Sequence, residues 1–163
     1  MGYQLIETIE VGSGGAASIE FTGIDQTGQD LQILVSGRLT GSADAADLRF
    51  NSDSGSNYSQ IRLTGTGSGV SSYGFTADRI NVEFSGNNQT FNTFGNLSIY
   101  VSNYASTANK SVSIDAVTEN NATAAKQELT AGSYSTSSGI TSLQLIKAFA
   151  EFSTASIYKI TAD

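Results

Sequence analysis

The stretch with the most site-like spacing is Asn51-Ser-Asp53-Ser-Gly55-Ser-Asn57, where oxygen-bearing side chains alternate around a glycine. Oxygen ligands two residues apart, bent around a glycine, are what a calcium loop uses. The bidentate Glu such a loop needs further on is missing, and Asp53 is its only charge. A plain Asx turn asks for the same residues and is the favoured reading; weak calcium binding by Asn51, Asp53 and Asn57 is the alternative. Other chemistry is narrowed by what the chain lacks. Cys and His are both 0, which removes the thiolate, the imidazole base and the commonest zinc ligands. Paired carboxylates, as in glycoside hydrolysis, are then the acid–base option. The candidates Asp44, Asp47, Asp53, Asp78, Glu83 and Asp115 fall in predicted loops or on outer faces, with no spacing that pairs them. A Ser–Lys nucleophile needs Ser-x-x-Lys at a helix start, and the chain offers no such helix start. The expectation is a protein that is not an enzyme and carries no cofactor.

Recognition is the remaining chemistry. Seven tyrosines include Tyr58, Tyr73, Tyr100, Tyr104 and Tyr134, near predicted strand ends or outward positions. Tyr with Asn, Ser and Gly is a composition that serves recognition, because a ring offers rigid contact area at low entropy cost. These five are the surface recognition candidates, with sugars as the ligand class. The competing reading has each ring covering the edge of a fold with its hydroxyl in water. Gly12-Ser-Gly-Gly15 resembles a phosphate loop only superficially, since neither a Lys nor a helix follows, and it reads as a turn. Asn-x-Ser/Thr sequons at Asn57, Asn88, Asn96, Asn109 and Asn121 follow from Asn, Ser and Thr richness alone.

The elements that must position these residues are strands. Phe94 to Tyr104 is the clearest: Leu97, Ile99 and Val101 alternate with Asn96, Ser98, Tyr100 and Ser102, the period of a half-buried strand. Similar segments are Tyr3–Val11 (Leu5, Ile9 and Val11 inward, Ile6 a second-face residue), Ser18–Ile24 and Asp30–Thr40 with Leu34 and Leu39 out of phase. Leu48–Phe50 and Tyr58–Thr64, the latter with Ile61 and Leu63 as its apolar residues, read as a hairpin across the Asx-rich loop. Residues 65–74 read as a surface loop, and Phe75–Phe84 as one strand. Lys110–Val117, Gln127–Tyr134, Ile140–Ile146 and Ala155–Ile160 complete the set. Ala122–Leu129 has helix-forming residues, but its length and flanks favour an extended reading. Turn signals about every 10–15 residues, with no linker or repeat, predict an all-β fold: one domain over residues 1–163, a single antiparallel β-sandwich of about ten strands, jelly-roll-like because that form buries two apolar faces with few free edges.

Proline is 0 and glycine 17, so turns fall to Gly, Asn, Asp and Ser. Net charge is −7, with eight dispersed cations and none in residues 1–37. That balance disfavours a nucleic-acid partner, whose affinity would come from clustered Lys and Arg. No apolar run reaches membrane-span length. The acidic start lacks a signal peptide's basic region and apolar core, so the expectation is a protein that is neither membrane-inserted nor conventionally secreted. Ser and Thr make up about a quarter of the chain and belong on outward strand faces.

Several segments resemble short virion-associated proteins of tailed bacteriophages, many of them marine. They are Tyr3-Gln-Leu-Ile-Glu through Val11-Gly-Ser-Gly-Gly-Ala-Ala-Ser-Ile-Glu-Phe21, Leu48-Arg-Phe-Asn-Ser-Asp-Ser-Gly-Ser-Asn-Tyr58, Phe94-Gly-Asn-Leu-Ser-Ile-Tyr-Val-Ser-Asn-Tyr104, Lys110-Ser-Val-Ser, Ile140-Thr-Ser-Leu-Gln-Leu and Phe152-Ser-Thr-Ala-Ser-Ile-Tyr-Lys-Ile160. The resemblance runs from Tyr3 to Ile160 and implies a jelly-roll-like sandwich displayed on the virion surface, made in the host cytoplasm. It implies a capsid decoration protein bound to the major capsid protein or another virion protein, as a homotrimer at threefold sites. The alternative is a tail-fibre module recognising host surface glycans. Fibre proteins ordinarily carry a separate N-terminal attachment region, whereas here the sandwich begins at about residue 3, which leans towards the head.

Overall fold

The computed structural model describes residues 2–119 and 124–161, and within them every regular element is a strand. Twelve strands run β1 (Gly2–Glu10), β2 (Ala16–Phe21), β3 (Asp30–Gly37), β4 (Ala45–Phe50), β5 (Tyr58–Gly65), β6 (Val70–Ala77), β7 (Ile80–Glu83), β8 (Gly95–Val101), β9 (Lys110–Glu119), β10 (Ala125–Tyr134), β11 (Leu143–Phe149) and β12 (Thr154–Thr161). All strand pairs are antiparallel, and they form two sheets, ordered β1-β12-β3-β8-β9-β10-β5-β6 and β2-β11-β4-β7. The fold is the expected all-β sandwich.

The pairings nest: β1 with β12, β2 with β11, β3 with β8, β4 with β7. The chain is thus a long hairpin rolled on itself, its two layers facing one another. Two further hairpins, β5–β6 and β9–β10, are inserted into that roll. They pair with each other through β5 and β10, and β9 joins them to β8. This widens one sheet from four strands to eight while the other stays at four.

The core lies where the sheets overlap. Alternation sends Leu31, Ile33 and Val35 of β3 and Leu97, Ile99 and Val101 of β8 inward, all at most 4% exposed. Ala46, Leu48 and Phe50 of β4 and Leu143, Leu145 and Phe149 of β11 meet them at 0%. Burial of each large side chain contributes about 1.5–3 kcal/mol, and Phe84 packs edge-on against Phe149 at 5.2 Å between ring centres. At Gly37 an added Cβ would sit 2.7 Å from the Phe84 ring, so glycine there is set by the close approach of the sheets.

Five expectations are corrected. The Leu48–Phe50 and Tyr58–Thr64 segments are not a hairpin: β4 belongs to the four-stranded sheet and β5 to the eight-stranded one, so residues 51–57 cross between layers. Phe75–Phe84 is two strands in different sheets, broken at Asp78-Arg79, and residues 70–74 belong to β6 instead of a loop. In β1 the register shifts between Leu5 and Glu7; this bulge turns Ile6 onto the core and leaves Leu5 52% exposed, exchanging those two assignments, while Ile9 and Val11 face inward as expected. In β5 it is Tyr58, Gln60, Arg62 and Thr64 that face inward, while Ile61 and Leu63 face solvent. Ala125–Tyr134 is extended, as favoured from the sequence; Ala122 and Thr123 of that segment, and the sequon at Asn121, lie outside the described residues.

Candidate functional site

The crossing from Asn51 to Asn57 is built as a turn. Asn51 and Ser52 take the left-handed conformation, φ 53° and 54°, and Phe50 accepts from the Asp53 N–H at 2.9 Å. The Asp53 carboxylate accepts from the Gly55 N–H (2.7 Å), the Asn57 side-chain amide (2.9 Å) and the Tyr134 hydroxyl (3.1 Å). The first of these bonds leads in holding its pKa below the usual carboxylate value. Asn51 faces the other way: its Oδ1 accepts from the N–H groups of Thr141 (2.8 Å) and Ser142 (3.2 Å), and its amide donates to Gly139. Asn57 presents a donor to Asp53, not an oxygen to a shared centre. The three candidate ligands therefore do not converge, and the donor set does not fit calcium. What the loop does is tie β4 to β10 across the sandwich.

The five candidate tyrosines separate. Tyr58, Tyr104 and Tyr134 are 0%, 0% and 3% exposed, so as surface recognition residues they are corrected: Tyr58 and Tyr134 lie on the inward faces of β5 and β10, and Tyr104 is tucked in from the turn after β8. Tyr58 and Tyr134 stack at 4.7 Å and 15°, with Phe50 beside them. The Tyr58 hydroxyl accepts from the Phe50 N–H at 3.0 Å, and burial raises its pKa. The Tyr104 hydroxyl donates to the Asp25 carbonyl and accepts from the Gly28 N–H, which closes residues 25–28 over the end of the roll. Tyr100 is half-buried and donates to Asp30 Oδ2 at 2.6 Å; that bond raises its pKa to about 12. Only Tyr73, on β6, is open to solvent at 63%.

Among the candidate carboxylates, Asp115 does lie on an outer face. Asp47 and Asp78 pair with Arg79, and Asp78 also with Arg49. Glu83 overturns its outward placement, being 2% exposed where the edge of the smaller sheet meets β5 and β10. There Arg62 bonds Glu128 and lies 3.4 Å from Glu83, while Lys126 bonds Glu83 and lies 3.7 Å from Asp44. Burial pushes Glu83 up to about 7, against the opposing pull of Lys126. Two cations and two buried acids with matched partners make a structural joint between layers. The spacing Ser156-x-x-Lys159 falls within β12, where Ser156 faces out and Lys159 turns in to Asp25, so no nucleophile pair forms.

Two surfaces escaped the sequence reading. On the outer face of the eight-stranded sheet, Ile61 is 63% exposed and Leu63, Leu129 and Leu34 about half. The register sets Leu63 beside Leu129 and Ile61 beside Ala131, around a shallow hollow of about 410 Å³ that also takes in Ser98 and Asp115. For Ile61, Leu63 and Leu129 period-2 alternation was visible, but not that the opposite, polar face is the one that is buried. Elsewhere Phe91 (84% exposed) and Phe152 (65% exposed, φ 67°) flank a cleft of about 380 Å³ with Asn92, Phe94 and Glu151. A bulky residue in the left-handed region is an outlier that its surroundings must impose. Here the Phe152 N–H donates to the Val11 carbonyl while the Val11 N–H donates to the Ser153 carbonyl, and Arg38 donates to the carbonyls of Thr90 and Thr93, fixing the loop that bears Phe91. An aromatic set in Asn- and Thr-rich turn chemistry was the available signal. Compared with family models, with curated proteins and with solved structures, the chain finds no match in any of the three.

Proposed function

We propose that this protein is a non-catalytic structural component of the outside of a tailed-phage particle, a capsid decoration protein that seats the outer face of its larger sheet on a neighbouring virion protein. The observation that carries this reading is the exposed apolar patch of Ile61, Leu63 and Leu129 on the adjacent strands β5 and β10. Contiguous apolar surface on an otherwise polar sheet face marks an interaction site. The resemblance from Tyr3 to Ile160 supplies the class of partner, and the nested pairing of β1–β12, β2–β11, β3–β8 and β4–β7 supports the jelly-roll form it implies. Seven of the eight cations are engaged inside the molecule, in ion pairs or with carbonyls. The exterior is therefore strongly acidic, which keeps a particle studded with copies soluble.

The test is quantitative mass spectrometry of purified particles from a host infected with the encoding phage. Hundreds of copies per particle are expected; a few to a few dozen would move the protein to the tail, and absence would end the proposal. Leu63→Lys and Leu129→Lys should leave stability within about 0.5 kcal/mol, as surface changes do, and abolish binding to stripped particles. Glycan recognition is the second reading, favoured by the Phe91–Phe152 cleft, since exposed rings can stack on the apolar faces of sugars. Loss of glycan-array signal in Phe91→Ala and Phe152→Ala would support it.

A further inference from the structure

The larger sheet has two edges, β1 and β6, and they differ in kind. The β1 edge is broken by the bulge at Leu5–Glu7 and carries Glu7 and Glu10, which are devices that stop a strand from recruiting another. The β6 edge has neither. Its eight residues, Val-Ser-Ser-Tyr-Gly-Phe-Thr-Ala, hold no charge, no proline and no bulge, and pair in unbroken register with β5 alone among the described residues. Six of the eight are exposed, Val70 at 74% and Tyr73 at 63%. The outward main-chain groups of this strand are a free template for one more strand.

We infer that β6 pairs antiparallel with β6 of a second copy of this chain, about a twofold axis at Gly74, joining two eight-stranded sheets into one. Charge selects the occupant. The chain carries a net charge of −7, so most of its faces repel a second copy, and the neutral strand β6 is where two copies meet without opposing acids. A basic partner would seek carboxylates, and β6 offers none. Symmetry then sets the register: a twofold axis perpendicular to an antiparallel pair places one residue opposite itself. With Gly74 on the axis, Tyr73 lies opposite Phe75 of the second copy, Phe75 opposite its Tyr73, and Ser72 opposite its Thr76. Tyr73 and Phe75 already touch within one copy, their ring centres 5.4 Å apart, so this register gathers four rings into one cluster. Aromatic cross-strand pairs are among those that hold sheets together. With Tyr73 on the axis, Phe75 would face Ser71 and the cluster would be lost. The pairing closes at two copies and leaves only the guarded β1 edges, unlike the threefold assembly that the phage resemblance implies.

The chain has no cysteine, so single cysteines report the pairing without background. Ser72→Cys and Thr76→Cys, both at exposed positions, are to be treated with a short bis-maleimide separately and as a mixture. Rapid dimer formation is expected in the mixture, at least tenfold faster than in either variant alone. Equally fast self-linking of Ser72→Cys alone would overturn the register, being the mark of a parallel or shifted pair. Sedimentation of the wild type into the hundred-micromolar range should give a dimer. Tyr73→Lys, checked for an unchanged circular dichroism spectrum and melting temperature, should weaken it at least tenfold. A monomer at every concentration, a trimer, or a dimer insensitive to Tyr73→Lys would each overturn the proposal.

Discussion

At Asp53 a single carboxylate accepts bonds from a backbone amide, a side-chain amide and a phenol, and through the last it reaches β10 from the end of β4. Asp53→Ala should cost about 0.5–2 kcal/mol, by analogy with losing a helix cap of the same chemistry. The loss should be equal in millimolar calcium and in chelator, since the loop oxygens bond protein donors; thermal unfolding of both proteins in both buffers checks this. Because folding lowers the Asp53 pKa, its contribution is present above the ordinary carboxylate range and is lost as the pH falls through the lowered value. Glu83 has the opposite sign. Its ordinary value of 4.5 is raised to about 7, so the folded state holds its proton more tightly than the unfolded chain. That contribution is complete below pH 4.5 and is lost as the pH rises through about 7, by on the order of 3 kcal/mol at most. Wild type should therefore lose stability relative to Glu83→Gln between pH 4.5 and pH 8, measured as denaturant midpoints; parallel pH profiles would refute the assignment. The turn at Asp53 was legible in the sequence, because Asx chemistry acts over four residues. The burial of Glu83 was not: it depends on Arg62 and Lys126, 21 and 43 residues away along the chain.

Among the strands, periodicity showed where alternation occurs but not which face turns inward. In β8 only one face is aliphatic, and in β3 three aliphatic residues on one face outweigh Leu34 on the other, so the expectation held. In β5 both faces offer candidates, and the inward choice of Tyr58, Gln60, Arg62 and Thr64 follows from what lies opposite: the Tyr134 ring, the Asn81 N–H and the acids Glu83 and Glu128. The same missing information made β4 and β5 look like a hairpin, since an Asx turn joins strands equally well within a sheet or between sheets. The β1 bulge gives the sharpest test of face assignment. Ile6 packs on the core whereas Leu5 stands 52% exposed, so Ile6→Ala should cost about 1–2 kcal/mol and Leu5→Ala under about 0.5 kcal/mol. Equilibrium denaturation of the two variants measures the difference; equal losses would mean that the register shift is misplaced.

For the molecule as a whole, the rolled hairpin and its insertions carry different tasks. The eight strands of the roll supply most of the apolar core, with Tyr58, Val112, Ile114 and Tyr134 added from the insertions, while β5–β6 and β9–β10 extend one sheet past its cover and present Ile61, Leu63, Tyr73 and Leu129 to solvent. The sheet that extends past the smaller layer is also the one whose inner face turns ionic, at Arg62 and Glu128. Fold and surface are thus separable, as expected when function is grafted onto a common scaffold. Class and strand number came near to legibility because they follow from local alternation. The nesting did not, because it is written in pairings such as Gly2 with Thr161 that span the chain. That nesting has a consequence for folding: β12, twelfth in chain order, lies between β1 and β3, and it buries Ala155 and Ile157 in the core. Without it β1 loses the strand it pairs with, and Leu31, Ile33 and Val35 lose their lateral neighbours on one side. A chain ending at Ser153 should therefore lack a cooperative thermal transition and bind a hydrophobic dye, while the whole chain shows one transition. Removal of residues 2–10 takes away only the outermost strand and should leave a cooperative, destabilised fold. Calorimetry of the two truncations decides it: cooperative unfolding of the chain ending at Ser153 would mean that the roll closes without its central strand.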